Sequence, residues 1–441
     1  MTWIILFLLL CNFLTPLAFV LKQCTSGGKI EFNHILLFSV GYVVYWILPP
    51  AIGESHLFLT LGEMSVWYGL FDRIPQATVA LYLLMCFGIY AAFCAGVLLC
   101  KRIWPGSRTD IRRFFFDRRF LNVFLLLGGA AASVYVVVLR NDFFRGYTAS
   151  DLGSNLGPRG SFIAISVFLF SLAILYSLKQ QEIFPGISFR RAVSHHFFGV
   201  YFLVAILGLS LGGRLYFFSS LLMLLVYRSV YFQKVGYRPV FFFVVVAAFL
   251  SGIFGTLRLG GGISVSDVLF NLVSEPLFNS FSLLQFLIDG RLELVNVPIF
   301  LLGDLINLLP TAIFPQKTGY LLSPEDYGYH IFSPLGSLSS FFSFMVNFGF
   351  LGTMLFIFLM AFSLQSLRSR GRSLLSKTIY IMVSGWLATT FFRDPFSISL
   401  VKSVFQYSIL FPSVVVFTAG LVTVSFIGRP ERRAVPTAPE G

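Results

Sequence analysis

A chain of 441 residues that is 57% hydrophobic and only 12% charged, with a mean hydropathy of +0.84, is too apolar for a water-soluble globule, because soluble domains carry about 25% charged residues to meet water. Apolar runs of about 20 residues recur along the whole chain, each long enough to cross roughly 30 Å of hydrocarbon as a helix, and the alternating ten-residue segments of a β-barrel do not occur. The formal charge of +13 gathers in short loops between these runs, which marks membrane topology and excludes a nucleic-acid surface.

In chain order, the runs predict spans at 2–21, 30–51, 78–100, 119–139, 161–179, 196–211, 214–232, 237–256, 340–366, 376–392 and 400–427. The expected fold is therefore all-α, one polytopic membrane domain of about eleven transmembrane helices, with ten and twelve as bounds. The first run, Met1 to Val20, has no basic n-region and no small-residue cleavage site, so it reads as a first helix and not a signal peptide. Cys11, Cys24, Cys86, Cys94 and Cys100 fall in spans or at their ends, without metal-type spacing, and are expected to pack as small apolar residues.

With the N-terminus outside, alternate loops place 22 of the 32 basic residues inside, and 13 of the 19 acids outside. Every short inside loop then obeys the positive-inside rule, and the tail 429–441 is cytoplasmic. Residues 257–339 form one long outer loop between the eighth and ninth spans. Loops of that length are usually functional. Within it, 265–288 and 298–309 have mixed apolar and polar patterns suited to helices at the membrane interface, the second ending at Leu308-Leu309-Pro310.

Arginines beside glycines at the outer ends of spans are the first candidates for chemistry. Arg214 follows Gly212-Gly213, and Arg258 precedes Gly260-Gly261-Gly262. A guanidinium keeps its charge near hydrocarbon, so it needs an anion or a wet cavity, or else snorkels to the interface. Arg140, Arg145 and Arg159 lie in a Gly-, Ser- and Asn-rich loop with Asp142 and Asp151, where a solvated charged loop is the simpler reading. Together the outer arginines suit a phosphate or pyrophosphate ligand. His330, with Glu325 and Asp326 just before it, offers a general base in the large loop. The outer acids Glu54, Glu63 and Asp72 are too dispersed for a metal site, and no nucleotide-binding or nucleophile-elbow motif is present. Gly349 and Gly352 are three apart and are expected to allow close helix packing.

Three features, in this order, resemble bacterial O-antigen or capsule repeat-unit polymerases of the Wzy type. They are Gly213-Arg214 opening a span, the stretch from Leu309-Pro310 through Pro315 to Lys317, and Gly336 followed by Asn347-Phe348-Gly349-Phe350-Leu351-Gly352. Where that family often has a glutamate after the glycine matching Gly336, this chain has Ser337. The resemblance implies a periplasm-facing glycosyltransferase of the bacterial inner membrane, acting on undecaprenyl-pyrophosphate-linked oligosaccharides, without a cofactor or metal. For that reaction, the basic residues beside glycines at the outer face, Arg214, Arg258 and Lys317, with Arg145 or Arg159, are expected to bind the pyrophosphate, and His330, Glu325 or Asp326 to take the proton. Membrane lipid and a chain-length regulator protein are the implied partners. An O-antigen ligase shares this plan, and a flippase for lipid-linked oligosaccharides is the alternative from another class.

Overall fold

The computed structural model describes residues 3–55, 73–106, 118–143, 156–211, 213–240, 242, 253, 276–277, 279–280, 284, 286–309, 314–316 and 339–427. Among these, seven helices are long and apolar enough to cross a membrane: Trp3–Cys24, His34–Glu54, Gln76–Ile103, Arg119–Val138, Gly157–Ile183, Ser340–Arg370 and Ser397–Thr423. His196–Ser210 and Arg214–Tyr231 add two apolar helices of 15 and 18 residues. The expected span at 237–256 lies almost entirely outside the described residues. The chain is an all-α membrane protein whose described residues include, besides helices, three strands of two residues each.

Two departures from regular helix have a cause in the sequence. Pro49 and Pro50 have no N–H to give the carbonyls of Tyr45 and Trp46. The ladder widens there into a π turn over Val43–Ile47, and the Tyr82 hydroxyl donates to the Trp46 carbonyl at 2.7 Å. Pro16 likewise removes one hydrogen bond from the continuous first helix, at the Asn12 carbonyl. The Asn12 amide donates to the carbonyls of Leu8 (2.8 Å) and Leu83 (3.1 Å), and its oxygen accepts from the Tyr42 hydroxyl. One buried polar side chain thus ties the first three long helices together, since a polar group in hydrocarbon needs a partner.

Packing between helices relies on aromatic rings and on glycine. Phe38 stacks on Phe93 with ring centroids 3.9 Å apart, and Trp46 stacks on Phe341 at 4.4 Å. Gln76–Ile103 and Ser340–Arg370 run parallel. A Cβ on Gly96 would collide with the Phe358 carbonyl, and one on Gly88 would stand 3.2 Å from the Phe350 ring. Small residues let these two backbones approach closely.

One end of the bundle is basic. Thr25–Ser26 and Lys29–Ile30 form a hairpin whose two-residue turn, Gly27-Gly28, has φ of 56° and 70°, the left-handed pair that a type I′ turn requires. Val235–Gly236 extends this small antiparallel sheet, pairing Lys29 with Gly236 and Ile30 with Val235. Beside it the Arg368 guanidinium meets the Glu31 carboxylate at 2.5 Å, with Lys234 at 3.9 Å. Lys101 donates to Gln23, and buried Lys377 lies over the Tyr231 ring at 4.8 Å. Segments that the charge pattern assigned to one side of the membrane therefore gather at one end.

Candidate functional site

The opposite end holds two broken helices. Ser340–Arg370 is interrupted at Gly349, whose φ of 65° and ψ of −175° are not helical. Its position, nine residues from the helix start, is roughly 13 Å along the axis at 1.5 Å per residue. Opening the ladder there strands backbone groups that hydrocarbon cannot satisfy. The segment 293–296 supplies the partners: Phe350 and Leu351 N–H donate to the carbonyls of Glu293 (3.0 Å) and Leu294 (2.9 Å), and Asn296 N–H donates to Phe348 (3.1 Å). A Cβ on Gly349 would stand 2.8 Å from the Glu293 oxygen and from the Leu294 and Val295 backbone. Gly349 and Gly352 were expected to share a helix face in helix packing. Gly349 instead admits an extended segment of the large loop.

Side chains reinforce that join. The Asn347 oxygen accepts from Leu301 N–H at 2.8 Å while its amide donates to the Ser343 carbonyl at 2.8 Å. The Asn296 amide donates to the Val346 carbonyl at 2.9 Å. These bonds hold the short helix Ile299–Asp304 and the 3₁₀ turn Leu305–Leu308, close to the expected 298–309.

The second break corrects the span expected at 376–392. Helix Leu374–Trp386 stops after 13 residues. The Trp386 indole donates to Ser408 at 3.0 Å, and Thr389 shares a 2.7 Å hydrogen bond with Ser219. Asp394, before Pro395, is extended (φ −104°, ψ 152°), as a residue preceding proline tends to be. The chain resumes as a π-helix over Ser397–Leu410. Runs of π-helix are rare and frequent at functional sites.

Charged groups collect around these breaks. Arg393 lies 3.6 Å from Asp394, and both act electrostatically on Tyr216, whose ring meets Trp386 at 5.7 Å and Tyr407 at 6.2 Å. Arg214 is the first residue of the helix that carries Tyr216 and is half-buried. Asp304, also half-buried, packs toward Lys402 of the π-helix. Burial pushes its carboxyl up to about 6, and the Lys402 charge opposes that rise.

Of the eight residues given a part in pyrophosphate binding or proton transfer, the structure describes two, Arg214 and Arg159. Arg214 sits at this end. Gly213 before it serves the turn, donating to the Gly208 carbonyl at 2.9 Å, where a Cβ would stand 2.7 Å from that oxygen. Arg159 pairs with Asp142 at 3.4 Å, closing the base of the loop that both flank. Arg145, Arg258, Lys317, Glu325, Asp326 and His330 lie outside the described residues. Arg393, Asp394, Lys402 and Asp304 were not anticipated; the Arg393-Asp394-Pro395 run inside an apolar stretch was the available signal. A serine–histidine contact, Ser177 to His195 Nε2 at 2.9 Å, belongs to a tether: the hydroxyl also lies 2.8 Å from the carbonyls of Ala173 and Ala192. Burial lowers His195 to about 4, so it stays neutral. Compared with family models, curated proteins and solved structures, the chain matches none.

Proposed function

We propose that this protein is a periplasm-facing glycosyltransferase that joins undecaprenyl-pyrophosphate-linked oligosaccharide repeat units into O-antigen or capsular polysaccharide. The observation that carries the reading is the placement of Arg214, Arg393, Lys402 and half-buried Asp304 at one end of the bundle, around two broken helices. In this reading the protein spans the bacterial inner membrane about eleven times, N-terminus periplasmic and C-terminus cytoplasmic, with its basic end inside.

The chemistry follows from charge. The acceptor hydroxyl attacks the sugar carbon bonded to pyrophosphate; that carbon–oxygen bond breaks, and the glycosidic bond forms. The hydroxyl proton passes to a carboxylate, a role Asp304 fills among the described residues; Glu325, Asp326 and His330 of the large loop are the other groups the sequence offers for it. Negative charge grows on the departing pyrophosphate, and arginines already in place stabilise it. Arg214 and Arg393 take that role, with Arg258, Lys317, Arg145 and Arg159 as the other cations proposed for it. Replacing Arg214 by Ala in the host should leave single repeat units without polymer; unchanged polymer length would reject the reading. Polymer that forms without the protein but stays unattached to its lipid core would identify a ligase instead.

A second reading has its own observation. Discontinuous helices are how many transporters build a site within the membrane, and Gly349 and residues 387–396 are two such breaks. A flippase would lose repeat-unit translocation on substitution at these breaks while polymerisation of repeats already outside continued.

A further inference from the structure

Between the first two long helices lies an apolar groove of about 390 Å³, lined by Phe13, Leu17 and Val20 on one side and Leu36, Val40 and Val44 on the other. Its size is that of a small-molecule site, typically about 300–1,000 Å³. Leu14, Leu17 and Val40 at its edge are 57%, 54% and 43% exposed, so it opens sideways from the bundle. Among the described residues the only polar side chain lining it is Ser39, and that hydroxyl is engaged by the Ile35 carbonyl (2.8 Å) and the Tyr90 hydroxyl (2.7 Å). A polar occupant would find no hydrogen bond there; a hydrocarbon chain would lose none.

Length and charge narrow the occupant. Phe13 to Val20 and Leu36 to Val44 each run about 10–12 Å along their helices, less than half of the roughly 30 Å hydrocarbon layer. The groove therefore lies within one leaflet. Val20 is four residues from the helix end at Cys24, about 6 Å, and Leu36 is two from the start at His34. Both ends meet the basic hairpin, where Lys29 is exposed; Lys22, also exposed, is five residues from Leu17 and nine from Phe13 and so stands on the far side of its helix from the groove. The pyrophosphate chemistry proposed above belongs to the opposite end, so this groove is separate from it.

We propose that the groove holds an acyl chain of an anionic phospholipid from the leaflet at the basic end, with its phosphate beside Lys29. The test uses the full chain in nanodiscs containing phosphatidylglycerol and phosphatidylcholine, moved to detergent, with retained lipid counted by native mass spectrometry. Wild type should keep phosphatidylglycerol in preference. Lys29→Gln, which leaves the groove intact, should lower that preference about fivefold, as expected for losing one surface lysine, whereas Lys22→Gln, on the far face of the first helix, should leave it unchanged. Val40→Trp, which fills the groove, should lose both lipids. Equal retention of the two lipids by wild type, an unchanged preference in Lys29→Gln, or the same fall in Lys22→Gln, would overturn the proposal. So would Val40→Trp retaining wild-type lipid, or converting a wild-type dimer to monomer, which would mean that a second copy occupies the groove.

Discussion

The N–H of Phe350 donates to the carbonyl of Glu293 at 3.0 Å, across a gap in a membrane helix that only a glycine at 349 leaves open. Through this bond the large loop is built into the helical bundle and does not merely cover it. Gly349→Ala would place a methyl group 2.8 Å from three backbone atoms, on a residue held at φ 65°. The expected cost is at least about 2 kcal/mol, from left-handed strain and collision together. Thermal unfolding in detergent should show it, with faster amide exchange across 293–301. Asn347→Leu, which removes the acceptor for Leu301 N–H, should cost about 1–3 kcal/mol and expose the same segment.

At the other end, Glu31 answers Arg368 at 2.5 Å with side chains only 9% and 11% exposed, so the pair is in the buried regime. Removing one partner leaves the other charge stranded, at about 3–5 kcal/mol. Glu31→Ala should therefore unfold at markedly lower denaturant than wild type. The double variant Glu31→Gln with Arg368→Gln should lose less than Glu31→Ala alone. A double variant that loses the sum of both singles would show that the two do not interact.

Asp304 sets a pH dependence with two opposite signs. Its carboxyl stands at about 6, above the ordinary 3.8. The native state thus holds the proton more tightly than the unfolded chain, and Asp304's contribution to stability, present in full below about 4, falls as pH rises to about 6. Activity runs the other way, because only the carboxylate accepts a proton: transfer should decline tenfold per pH unit below about 6. Asp304→Asn should lose most transfer at every pH and lose that acid limb, while its stability no longer falls across the window. Wild-type rates and an unaltered limb in this variant would remove Asp304 from the chemistry.

Much of this architecture is visible in the residues themselves. Apolar run length located the long helices, because a bilayer imposes one length on every span. Charge placement grouped Lys29, Lys101, Lys234, Arg368 and Lys377, which the fold gathers at one end. Hydropathy could not show where a helix breaks. Leu374–Phe392 is as apolar as its neighbours, yet it stops at Trp386, where the indole finds Ser408 and the backbone turns at Thr389. The site suffered most from this. Arg393 and Asp394 read as one charged pair between two spans, and Asp304 as one polar residue in an interfacial helix. The approach of Arg393 and Asp394 to the helix that begins at Arg214, and of Asp304 to Lys402, depends on contacts between residues far apart in the chain, which periodicity does not encode.

The most direct test of the proposed activity is transfer by the purified chain, reconstituted in proteoliposomes with undecaprenyl-pyrophosphate-linked repeat units and followed by gel separation of the lipid-linked products. Wild type should convert single units into a ladder of longer glycans, and Arg214→Ala should slow this about 10²–10³-fold, the usual loss when a preorganised group stabilising transition-state charge is removed. A ladder formed equally fast by Arg214→Ala, or none formed by folded wild type, would contradict the assignment.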